Sequence, residues 1–146
     1  MVTSQSLIDK YIRLLMPQVV EDLLYSDSEK FLSFCNGVGS DIGVLGKLTY
    51  HFIPNTIWGL DITPASDLHD VGYSYPNFFA TKDDALKYKA LIDLYFYKNM
   101  KSLIDTHSIF LNKIRMIRAH TYFETVHLFG EECFMEGKII AGEKIC

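Results

Sequence analysis

The residue types best suited to chemistry gather in the stretch "ASDLHDVGY", residues 65–73, where His69 adjoins Asp70 between Asp67 and Tyr73. Neighbouring helical positions lie about 100° apart, so His69 and Asp70 point in different directions and each needs its own partner. His69 shares a helix face with Tyr73, and Asp70 shares another with Asp67 and Ser74. Further along, Asp93 falls in a mainly apolar stripe with Leu86, Ala90, Phe96, Tyr97 and Met100. A carboxylate buried without a partner costs several kcal/mol, so Asp93 requires a donor from elsewhere. If the two helices pack antiparallel, His69 and Tyr73 are the donors in reach, giving a His–Asp dyad supported by a tyrosine hydroxyl. The competing reading pairs Asp93 with Lys89, one turn earlier, as a solvated contact.

A second centre is suggested by "CNGVGSD", residues 35–41. Alternating glycines let successive carbonyls converge, and hard divalent cations such as calcium take oxygen ligands at about 2.3 to 2.6 Å. With Asp70 facing this loop, a calcium site would stand beside a general base. Alternatively, Gly37 and Gly39 are ordinary turn residues.

The elements that must hold these groups are mainly helical. Leu7, Ile8, Ile12, Leu15 and Met16 form a stripe over residues 6–16 that Pro17 breaks before Val19, Val20, Leu23 and Leu24 resume it. Periodicity disappears from about Phe34 to Ile62, where Gly37, Gly39, Gly43, Gly46, Pro54 and Gly59 predict a long loop with a short hairpin near Leu48 to Phe52. Within it, "IPNTIWGLDI" reads as core in preference to a membrane-touching rim. Thr63 as N-cap with Pro64 at the first helical position opens the helix of the His-Asp word, which ends before Pro76. Thr81, with Asp84 three residues on, starts a long helix to about Ile104, and a last helix runs from about Ser108 to Phe129, stopped by Gly130. The 146 residues suit one domain, comprising an N-terminal helical segment (1–33), a central core (34–104) and a C-terminal helix and tail (105–146).

Composition narrows the function. A net charge of −4 and a pI near 5.7 disfavour a nonspecific nucleic-acid binder and leave small molecules, lipid or protein as partners. Cys35, Cys133 and Cys146 are odd in number and lack metal-ligand spacing, which argues against a disulfide framework or structural zinc and for a reducing compartment. His107, His120 and His127 are not spaced to share one zinc ion. Lys101, Lys113, Arg115 and Arg118 read as a solvated basic face. With no basic start before an apolar run and no stretch of about eighteen apolar residues, neither a signal peptide nor a membrane span is expected.

A Gly-x-Gly loop, a helix with His-Asp and a tyrosine three residues past the aspartate, and a facing helix with an aspartate together resemble the phospholipase A2 superfamily in its cysteine-poor microbial and viral branch. The words "IPNTIWGLDITPASDLHDVGY" and "IDLYFYKNM" look most similar to small phage or prophage-encoded proteins. The resemblance spans roughly Phe34 to Met100. It implies a mainly α, phospholipase A2-like fold in which two long antiparallel helices carry the site, and calcium-dependent hydrolysis of lipid acyl esters. His69 would activate water, Asp93 would orient its far ring nitrogen, and Tyr73 would hydrogen-bond Asp93. Asp70 would bind calcium with carbonyls of Asn36, Gly37 and Gly39. Ala65, Ser66 and Gly72 stand where secreted members carry stapling cysteines, so packing alone must hold the dyad. Phospholipid or a membrane surface would be the enzyme's partner, in a bacterial cytoplasm or associated with a virion. The alternative is a noncatalytic phage module that keeps the scaffold for structural work, with phage structural proteins as partners.

Overall fold

Apolar residues at helical spacing generate most of the architecture seen in the computed structural model, which describes residues 4–35, 55–107 and 109–141. The protein is mainly α. Three short helices come first, α1 (Ser4–Tyr11), α2 (Gln18–Ser26) and α3 (Ser28–Cys35). A small hairpin follows, β1 (Thr56–Ile57) with β2 (Leu60–Asp61), and leads into α4 (Thr63–Ser74), which carries the His-Asp word. β3 (Phe78–Phe79) connects to the long α5 (Lys82–Asp105), which is followed by α6 (Ile109–Phe129), α7 (Glu131–Glu136) and β4 (Ile139–Ile140).

The N-terminal stripe forms a shorter helix than its periodicity predicts, because α1 ends at Tyr11, well before Pro17. The intervening segment is tied down by a side chain instead. Asn99 of α5 accepts from the Leu15 amide at 2.7 Å and donates to the Leu15 carbonyl at 2.8 Å, replacing the helical bonds that this residue lacks. Tyr11, Val20, Leu24 and Phe31 then bury themselves with Leu68 and Val71, so that α1, α2 and α3 cover one side of α4.

The start of α4 differs in detail from the expected cap. Thr63 is its first helical residue, and Asp61 receives both the Thr63 amide, at 2.8 Å, and the Thr63 hydroxyl. The carboxylate of Asp61 thereby does what a threonine side chain was expected to do, and these bonds hold it below the usual carboxylate range. Pro64 lies in the first turn, as expected. At the other end, the Lys138 ammonium donates to the carbonyls of Gly72 and Tyr75 and to Asn77, while β4 pairs in parallel with β3. Burial pushes Lys138 down to about 7.

The hairpin observed is the one with Trp58 and Gly59 at its tip, both at positive φ; the hairpin expected near Leu48 to Phe52 lies outside the described residues. Ile57, Leu60 and Ile62 are buried and Trp58 is exposed, so this part of the apolar word is core except at its tip. Tyr122 and Arg115 of α6 hold the hairpin by donating to the carbonyls of Thr56 and Trp58. Arg115 is therefore buried, whereas Lys113 and Arg118 are exposed as a solvated face should be.

α4 and α5 run antiparallel: Ala65 shares a cluster with Met100, Gly72 meets Ile92, and Tyr73 lies near Lys89. A Cβ at Gly72 would stand 2.9 Å from Ile92, so the missing side chain permits the close approach that the dyad needs. Thr81 caps α5 as expected, accepting from the Asp84 amide at 3.1 Å. α6 returns alongside, with Tyr97 against His120 and Phe123. Gly130 does interrupt α6, but the chain immediately enters α7, which buries Phe134 against Tyr73. Among the described residues no helix is long and apolar enough to cross a membrane.

A Cβ on Gly130 would lie 2.4 Å from the Val126 carbonyl and 2.7 Å from the Tyr73 hydroxyl. Because one of these contacts is backbone, Gly130→Ala is expected to destabilise the fold by about 1–3 kcal/mol. Urea unfolding of the variant checks this; an unchanged midpoint would mean that the α6–α7 junction yields freely.

Candidate active site

Asp93 faces α4 from the fourth turn of α5, and no part of it reaches solvent. Its Oδ1 lies 3.0 Å from His69 Nε2 and accepts the Tyr73 hydroxyl at 2.6 Å. The expected His69–Asp93–Tyr73 constellation is therefore brought together. The imidazole packs between Tyr73 and Phe96, with ring centroids 4.2 and 4.7 Å away, which fixes its plane.

The Lys89 reading also holds, but not as a solvated contact. Lys89 is buried, and its Nζ donates to Asp93 Oδ2 at 2.7 Å and to the carbonyls of Val126 and His127 near the end of α6. All three ammonium protons thus have acceptors. The ring of His127, half exposed, stands 3.7 Å from the same carboxylate oxygen. Asp93 is consequently shared by the dyad and a buried ion pair, a combination that the sequence presented as alternatives. The i, i+4 spacing of Lys89 and Asp93 was the available signal; the carbonyls that make burial of the lysine tolerable come from residues more than thirty positions away.

Electrostatics follow from these contacts. Burial raises the Asp93 carboxyl, but hydrogen bonds and charge from His69, with further bonds from Lys89 and Tyr73, outweigh it and hold the group below the usual range. Burial first, and then the Asp93 charge, push the Tyr73 phenol well above its ordinary value, so it remains a neutral donor. An ionised Asp93 can only accept, so Nε2 of His69 carries the proton and Nδ1 of the neutral ring keeps its lone pair. Among the described residues Nδ1 has no hydrogen-bond partner.

Asp70 lies on a different face of α4, partly covered, with its carboxyl driven well above the usual range by burial and then by the charge of Asp67. Asp67 itself is occupied, accepting from Tyr11 at 2.6 Å and from Lys10 at 3.3 Å. Cys35, the last residue of α3, feels both Asp67 and Asp70; burial and these charges push its thiol up to about 12. Asn36, Gly37 and Gly39 lie outside the described residues. Among the described residues no three His, Cys, Asp or Glu side chains come close enough to hold a metal ion.

Compared with models of protein families, with curated proteins and with solved structures, the chain matches none.

Removing Asp93 would strand the Lys89 ammonium among backbone carbonyls, so Asp93→Ala is expected to cost about 3–5 kcal/mol. Adding Lys89→Met should cost less than the two single losses together. A double-mutant cycle in urea reads both, and strict additivity would deny the pair. Since the folded pKa of Asp93 is depressed, its contribution is present above the unfolded carboxylate range and is lost as pH falls through the folded value.

Asp70 has the opposite sign. Its raised folded pKa favours the unfolded state once the pH exceeds the ordinary carboxylate value of about 4. Asp70→Asn should therefore raise stability at neutral pH without divalent ions by roughly 0.5–2 kcal/mol, and the gain should shrink in acid. Melting curves at both pH values test it; a neutral-pH loss would show that the ionised carboxylate is already compensated.

Proposed function

We propose that the protein is a phospholipase A2-like hydrolase of lipid acyl esters that activates water with His69. The observation supporting this reading is the hydrogen bond from His69 Nε2 to Asp93, with Tyr73 on the same oxygen. It leaves Nδ1 as the basic atom of the ring, held at a fixed angle by aromatic neighbours. A water donating to Nδ1 loses its proton there as its oxygen bonds to the acyl carbon. The ring returns that proton to the leaving alkoxide as the ester C–O bond breaks. Asp93 steadies the imidazolium formed in between and remains ionised throughout.

Asp70 with the carbonyls of Asn36, Gly37 and Gly39 would hold calcium, whose chemistry there is polarisation of the ester carbonyl. The donor set fits such an ion. Asp70 is a carboxylate that burial and Asp67 oppose in its charged form, and a divalent cation would reverse that opposition. Cys35, next in sequence to Asn36, lies within electrostatic reach of Asp70.

A second reading is favoured by Lys89. Its bond to Oδ2 neutralises Asp93 independently of the histidine, as a scaffold without catalytic work would require. In that reading the protein is a noncatalytic phage-associated module.

The two readings separate in an assay of fatty-acid release from phospholipid vesicles, with and without a chelator. In the hydrolase, His69→Gln should reduce turnover at least 100-fold with little change in calcium affinity. Asp70→Asn should weaken calcium binding, and activity should recover only partly at high calcium. Wild type that releases nothing above background and binds no calcium in calorimetry would leave the module.

A further inference from the structure

α6 is apolar on two sides. Ala119, Tyr122 and Val126 face the core with Arg115, while Phe110, Ile114, Ile117 and Leu128 line the opposite side at positions i, i+4, i+7 and i+18. Phe110 is 88% exposed and Ile117 69%. No helix or strand among the described residues packs on this outer row.

The charge around its N-terminal half is one-sided. From residue 98 to residue 123 the chain carries Lys98, Lys101, Lys113, Arg115 and Arg118 against a single acid, Asp105, although the whole protein has a net charge of −4. Of these, Lys113 and Arg118 are exposed on α6 itself and Lys98 and Lys101 on α5, and the first acid after Asp105 is Glu124. Exposed large apolar side chains flanked by cations suit an anionic lipid surface, because the apolar row enters the acyl boundary while lysine and arginine remain at the headgroups. A second copy of the same face would set cation against cation, and nucleic acid would leave the apolar row without a partner.

We propose that the N-terminal half of α6, with Phe110, Ile114, Ile117, Lys113 and Arg118, docks the protein on anionic phospholipid bilayers. This surface belongs to a different helix from the dyad, and the proposal does not depend on ester hydrolysis.

The test is co-sedimentation of the full chain carrying His69→Gln, in chelator, with vesicles of phosphatidylcholine alone or mixed with phosphatidylglycerol. Binding is expected to the mixed vesicles and to fall with added salt. Lys113→Glu should weaken it about fivefold or more, from roughly 1 kcal/mol per basic residue at such a surface. Ile117→Ser should weaken it by a similar factor while leaving the melting temperature unchanged, since the side chain touches solvent. Equal binding to both vesicle types, no binding to either, or variants that bind like the parent would overturn the proposal. So would a concentration-dependent dimer that Ile117→Ser dissolves, which would give the face to a second copy. Absence of hydrolysis by the wild type would leave the result standing.

Discussion

At the centre of the molecule, one ionised carboxylate is kept from water by donors that arrive from several elements. Asp93 accepts from His69 and Tyr73 of α4 and from Lys89 of its own helix, and Lys89 carries the network on to the last carbonyls of α6. A buried charge of this kind is tolerated only when its partners are all in place. The antiparallel packing of α4 on α5 and the return of α6 are therefore conditions for the site as well as consequences of apolar burial. Among the described residues, Gly72 and Gly130 are positions where a side chain would push into these helices.

Around this network the rest of the structure acts as support. The C-terminal segment caps α4 through Lys138 and covers Tyr73 with Phe134. On the opposite flank, α1 to α3 bury Leu68 and Val71 and engage Asp67, leaving Asp70 as the neighbouring carboxylate without a described hydrogen bond. Two acids three residues apart on one helix thus meet different surroundings. Asp67 anchors an N-terminal helix, while burial and the charge of Asp67 raise the Asp70 carboxyl. Packing on both sides of α4 holds the His-Asp word in place.

Much of this was legible in the amino-acid order, for reasons that are local. The spacing of His69 to Tyr73 and the apolar stripe around Asp93 depend only on helical geometry, and the need of a buried acid for donors then joins the two helices. What was not legible depended on distant backbone. Lys89 reads as a surface residue until the carbonyls of Val126 and His127 are known, and Lys138 until the end of α4 is seen. Asp61 displaced Thr63 as the cap because a carboxylate just outside the helix can take both the amide and the hydroxyl. α7 was hidden because glycine after a helix ordinarily signals a stop, whereas here it allows two helices to meet closely beside Tyr73.

Because an ionised carboxylate can only accept, Asp93 keeps the His69 proton on Nε2 and leaves the lone pair on Nδ1. Nitrogen-15 NMR of the imidazole, recorded at a pH where His69 is neutral, tests this most directly. The expected result is a protonated Nε2, coupled through its hydrogen bond to Asp93, and an unprotonated Nδ1. A neutral ring with its proton on Nδ1 would contradict it, because Nε2 would then be turning a lone pair toward an ionised carboxylate.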